Sequence, residues 1–92
     1  MTEKTTVSLG TALDIMHAAG LKDRLVASLE KKPNIVLISD KVERVDTAGL
    51  QLLYAFKQEV ETKQKQLSWQ KPSDALLHAS ESLGMTDALG IV

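Results

Sequence analysis

A carboxylate followed directly by a hydroxyl and two small residues, Asp46-Thr47-Ala48-Gly49, stands where a polar loop gives way to an amphipathic pattern. Those residue types at that junction point to one kind of chemistry. A threonine oxygen can accept a phosphoryl group, and the unpaired N–H groups and positive dipole end of a helix start stabilise added negative charge. Asp46 carries two readings on spacing alone: a helix N-cap, or the acidic flank of a docking surface that includes Thr47. Ala48 and Gly49 are small, which would leave the backbone of the first turn open to a partner. A phosphoryl group on Thr47 would bring roughly −1.5 to −2 charges. The helix start tolerates that charge, whereas Asp46 and the desolvation needed for docking oppose a partner matched to the neutral hydroxyl. A few kcal/mol of such mismatch changes affinity by roughly 10- to 1000-fold. That is enough for a switch.

Other chemistry finds little material. His17 and His78 lie near the starts of two different helical segments with no partner at a ligand spacing, and both read as solvent-facing. Carboxylates are scattered, no Ser/His/Asp or lysine-based set is visible, and no GxxxxGK or GxGxxG phosphate loop occurs. An enzyme is therefore not expected, nor a cofactor. The chain has no cysteine, which removes disulfides, thiolate chemistry and cysteine-type zinc sites, and no metal ligand set is expected.

The elements that must position Asp46 and Thr47 follow from periodicity. Val7-Ser8-Leu9 reads as a short strand, and Gly10 to Leu13 as a turn or second extended piece. From about His17 to Lys31, apolar residues Ala18, Leu21, Leu25 and Leu29 recur at helical spacing, with Gly20 inside and Lys31-Lys32-Pro33 as the stop. Ile35-Val36-Leu37-Ile38 is a continuous β-branched run and predicts a strand covered on both faces. Val42 and Val45 point a short segment back to the core. Leu50, Leu53, Phe56 and Val60 then predict a helix from about Thr47 to Lys63, with Leu67 and Trp69 alternating in a strand from about Lys65 to Gln70. Ser73 begins a last helix as its N-cap, Gly84 supplies a left-handed stop, and Met85 to Leu89 reads as one more turn packing on the sheet. Strand and helix alternate throughout, which argues for an α/β domain with right-handed crossovers.

Ninety-two residues, 43% hydrophobic and 25% charged, make one small globular domain over residues 1–92. With only Tyr54, Phe56 and Trp69 as aromatics, the core must be aliphatic. A net charge of −1 with dispersed lysines and no stacking platforms argues against nucleic-acid binding. The first residues lack a secretion signal and no apolar run approaches the ~20 residues of a membrane span, so no membrane insertion is expected and the expected location is the cytoplasm.

Two segments give the chain a resemblance to the STAS domain family, the small α/β module of anti-sigma factor antagonists and sulfate-transporter tails. One runs from Leu13-Asp14-Ile15 through Ala18-Ala19 to Leu25. The other, Val42 to Leu53, contains the Asp-Ser/Thr-small-Gly-Leu signature as Asp46-Thr47-Ala48-Gly49-Leu50. Pro72-Ser73 and Leu83-Gly84-Met85 also fit. The resemblance implies a mixed sheet of about four strands with helices mainly on one side. The short amino end implies that the family's first strand is missing, leaving an exposed sheet edge through which two copies could pair.

The same resemblance implies a function. In the antagonist branch, the hydroxyl after the signature Asp is phosphorylated by a partner that is both kinase and binding target, and a phosphatase reverses the modification. Thr47 is the matching position. The expected partners are thus a serine/threonine kinase or anti-sigma factor and a phosphatase, in an antagonist-like or chemotaxis-associated bacterial regulator. The docking surface would comprise Asp46, Thr47, Ala48, Gly49, Gln51 and Ala55, with Asp40 and Arg44 from the preceding loop. The chain departs from the family pattern in having Thr47 for the commoner serine. Some threonine-bearing members are subunits of lipid-transporting membrane ATPase complexes, which implies the alternative of a constitutive assembly subunit.

Overall fold

The computed structural model describes residues 3–91. Its element order is β1 (Lys4–Ser8), β2 (Ala12–Leu13), α1 (Ile15–Leu29), β3 (Asn34–Ile38), β4 (Arg44–Val45), α2 (Thr47–Thr62), β5 (Gln66–Gln70), α3 (Asp74–Ser82) and α4 (Thr86–Leu89). The α/β architecture expected from the alternation is present. In detail, the strands form a three-stranded sheet in the order β1-β3-β5 and a separate two-stranded ribbon, β2-β4. Every pairing is parallel rather than mixed. The reason lies in the connections: α1 carries the chain from β1 to β3 and α2 from β3 to β5, and a crossover through a helix returns the next strand in the same direction.

Register fixes two faces. Thr5, Ile35 and Leu67 align across the sheet, as do Val7, Leu37 and Trp69. This face carries the helices, and Ile35 and Leu37 are wholly buried in it. The opposite face aligns Thr6, Val36 and Ser68, then Ser8, Ile38 and Gln70. There the flanking residues are exposed and Val36 and Ile38 only half-buried. The expectation that β3 is covered on both faces is therefore corrected. A central strand is shaded by its neighbours' side chains, so a continuous apolar run needs no second layer above it.

The helices bury the arcs their spacing predicts: Leu21, Leu25 and Leu29 of α1, and Leu50, Leu53, Phe56 and Val60 of α2. α1 begins two residues before the predicted start because Asp14 caps it, its side chain accepting from the His17 N–H. Ser73 caps α3 as expected, and Gly84 adopts φ 66° just beyond it. The last turn does pack back: the Trp69 indole N–H donates to the Leu89 carbonyl at 3.0 Å.

Candidate functional site

Two helix starts lie side by side. β2 leads into α1 and β4 leads into α2, and because β2 and β4 pair, with Leu13 opposite Val45, the two helices begin at the same end of the molecule. Asp46 joins them. Its Oδ1 accepts from the Gly49 N–H at 2.9 Å, capping α2, while Oδ2 accepts from the Ile15 N–H at 3.1 Å, the first residue of α1. Its own N–H donates to the Leu13 carbonyl at 2.9 Å. Asp46 is thus the N-cap of one helix and a tether to another.

Asp14 is the reciprocal device. Its Oδ1 accepts from the His17 N–H at 3.1 Å and lies 2.6 Å from His17 Nδ1, and its Oδ2 accepts from Arg44 Nη2 at 2.9 Å. Hydrogen bonding from the His17 ring, then from Arg44, outweighs burial and holds the Asp14 carboxyl at about 2, below the ordinary 3.8. His17 is exposed as expected, yet it has a partner that spacing for metal ligands did not reveal. The start at His17 overlooked Asp14, whose residue type ahead of an apolar period is the signal that could have marked the cap. Its pairing with Arg44, thirty residues on, had no local signal.

Thr47 is the first residue of α2 and is exposed. Ala48 is half-buried, and Gln51 and Ala55 are exposed on the following turns. Gly49 differs. It is buried, and a Cβ built on it would lie 2.3 Å from the Leu13 carbonyl oxygen and 2.6 Å from its carbon. The expectation that its small size opens the first turn to a partner is corrected: the glycine lets α2 sit against the β2 backbone. Arg44 keeps its side chain 72% exposed while reaching Asp14. Asp40 is exposed after β3 and, among the described residues, takes no part in the Asp46 network.

The start of α1, where the Ile15 N–H meets Asp46, carries two residues that periodicity did not single out. Ile15 and Met16, at the start of α1, are 72% and 85% exposed. Large apolar side chains exposed on a first helical turn have the makings of a protein contact. Among the described residues, no cluster of three or more His, Cys, Asp or Glu side chains could hold a metal ion. No helix among them is long and apolar enough to cross a membrane.

A family model described as "Mlab, STAS domain" matches residues 2–92. No curated protein matches the chain. Among solved structures, the anti-sigma factor antagonist SpoIIAA in its unphosphorylated form is similar at a TM-score of 0.72 and 15% sequence identity, with 100% of this chain and 93% of that one covered. At that identity the likeness speaks for the fold.

Proposed function

This chain belongs to the STAS domain family, and from that premise we propose that it is a protein-binding regulator, not an enzyme, switched by phosphorylation of Thr47. The observation that carries the reading is the exposed Thr47 at the head of α2, beside an Asp46 whose two carboxylate oxygens are already engaged by backbone N–H groups. With the hydroxyl free, a partner of the kinase or anti-sigma type docks on Thr47, Ala48, Gln51 and Ala55, flanked by Asp46, by Asp40 after β3 and by Arg44 of β4. Ile15 and Met16 add apolar contact. When the kinase transfers the terminal phosphoryl group of ATP to the Thr47 oxygen, the helix start accommodates the charge. Asp46 cannot retreat from it without releasing two helices, so the added charge is felt by the partner. A phosphatase returns the hydroxyl, and the cycle takes place in the cytoplasm of a bacterial cell.

The test is affinity for a serine/threonine kinase of the anti-sigma type from the same organism. Thr47→Glu is expected to bind roughly 10- to 1000-fold more weakly than wild type, with an unchanged far-UV spectrum and melting temperature. Equal affinity for Thr47→Glu and wild type would sink the switch.

Ile15 and Met16 favour a second reading, because exposed apolar anchors at the start of α1 suit a lasting contact. On it, the chain is a constitutive subunit of a membrane transporter ATPase complex, in keeping with the threonine at position 47. Copurification with ATPase subunits, and no phosphate on Thr47 under any growth condition, is the outcome this reading expects.

A further inference from the structure

We propose that the outer edge of β5 pairs antiparallel with the same strand of a second copy of this chain, about a two-fold axis through Ser68. The directions of the backbone groups support it. The Gln66 N–H donates to the Pro33 carbonyl at 2.9 Å, and the Gln70 carbonyl accepts from the Ser39 N–H at 3.3 Å. Gln66, Ser68 and Gln70 therefore turn their polar groups toward β3. By the alternation of a strand, Leu67 and Trp69 turn theirs outward. Among the described residues, nothing meets those outward N–H and C=O groups.

The two outer strands of the sheet are not equivalent. On β1 the Ser8 carbonyl accepts from Arg24 Nη1 at 2.8 Å, and Lys4 places a charge within the strand. Both are recognised ways of blunting an edge. β5 reads Gln-Leu-Ser-Trp-Gln, with no charge, proline or glycine. It has neither guard.

The register is set by the same groups. Centring the pair on Ser68 puts Leu67 opposite Trp69 of the second copy, and both of these residues have outward-facing polar groups. Each such pair then exchanges two hydrogen bonds, and Ser68 faces its own copy as a non-hydrogen-bonded pair. On the helix-covered face, half-buried Leu67 and Trp69 become aliphatic–aromatic cross-strand neighbours. A hollow of about 240 Å³, lined by Lys57, Val60, Glu61, Lys65, Gln66 and Leu67, lies beside Leu67 where the incoming strand would stand. On the open face Gln66 meets Gln70, and serine meets serine, without charge opposition. A contact built on one five-residue strand is smaller than the roughly 800 Å² per partner of a standard interface. The dimer is therefore of the transient, concentration-dependent kind, and it uses no residue of the Thr47 site.

The chain has no cysteine, so Ser68→Cys reports on the axis directly. A non-hydrogen-bonded pair, with Cα atoms about 4.5 Å apart, falls in the span of a disulfide. Under mild oxidation Ser68→Cys should cross-link several-fold faster than Thr6→Cys on the opposite edge. In sedimentation velocity the wild type should shift toward dimer from micromolar to millimolar protein. Ser68→Lys should stay monomeric, and an equimolar mixture of Ser68→Lys and Ser68→Glu should recover the dimer, which a folding defect could not produce. A wild type monomeric throughout, Ser68→Cys cross-linking no faster than Thr6→Cys, or failure of the mixed pair to associate overturns the proposal.

Discussion

One carboxylate, that of Asp46, holds the starts of two helices, and this gives it a substitution pattern unlike that of an ordinary cap. At a simple N-cap, Asp and Asn are near equivalents and removal of the side chain costs about 1 kcal/mol. Here the second oxygen also accepts from Ile15, and an amide would present N–H to N–H at that point. We expect Asp46→Asn to fall between wild type and Asp46→Ala in urea denaturation, with the alanine variant about 1–2 kcal/mol less stable. Asp46→Asn equal to wild type would mean that the Ile15 bond contributes nothing. Asp14 yields a pH dependence. Because its folded value of about 2 lies below the ordinary 3.8, the carboxylate favours the folded state above about pH 4, and that contribution fades as pH falls toward 2. The urea midpoint should decline through this window in wild type, and the decline should be shallower in Asp14→Asn, which cannot ionise.

At the scale of elements, two glycines in helices have opposite meanings. Gly49 lies where α2 meets the β2 backbone, with Leu13 atoms 2.3–2.9 Å from the point a methyl group would occupy. At Gly20, in the middle of α1, an added methyl group would meet nothing within 4 Å among the described residues outside its own helix. Gly20→Ala should therefore stabilise the protein by about 0.5–1 kcal/mol through helix propensity alone. Gly49→Ala should destabilise it by about 1–3 kcal/mol despite the same propensity gain, because the helix must move off the ribbon. Opposite shifts of the urea midpoint check both, and equal shifts would contradict the close approach. Nothing in the local sequence distinguishes these residues. α2 itself was legible, its start marked by Asp46 and its arc by Leu50, Leu53, Phe56 and Val60, since helical period and capping are local properties. β2 and β4 are two residues each, and their pairing joins positions thirty-two apart, so neither the ribbon nor the strand backbone beneath Gly49 could be read in advance.

Taken whole, the layout is one-sided: among the described residues, helices pack on one face of a parallel sheet while the other stays open. The β3 sequence hid this, because Ile35-Val36-Leu37-Ile38 is apolar at every position and alternation is what betrays an open face. The clue lay on its neighbours, where Thr6, Ser8, Ser68 and Gln70 are polar at the positions that align with Val36 and Ile38. Strand pairing had to be known before those positions could be compared. The energetic consequence is specific. Leu37 is wholly buried under the helices, and Leu37→Ala should cost about 2–5 kcal/mol. Val36, one residue away on the same strand, loses only partly shaded surface, and Val36→Ala should cost about 1 kcal/mol or less. Guanidinium unfolding of the two variants separates the faces. A Val36→Ala loss as large as that of Leu37→Ala would mean that a further layer covers the open side, and both the shading account of β3 and the one-sided layout would have to be given up.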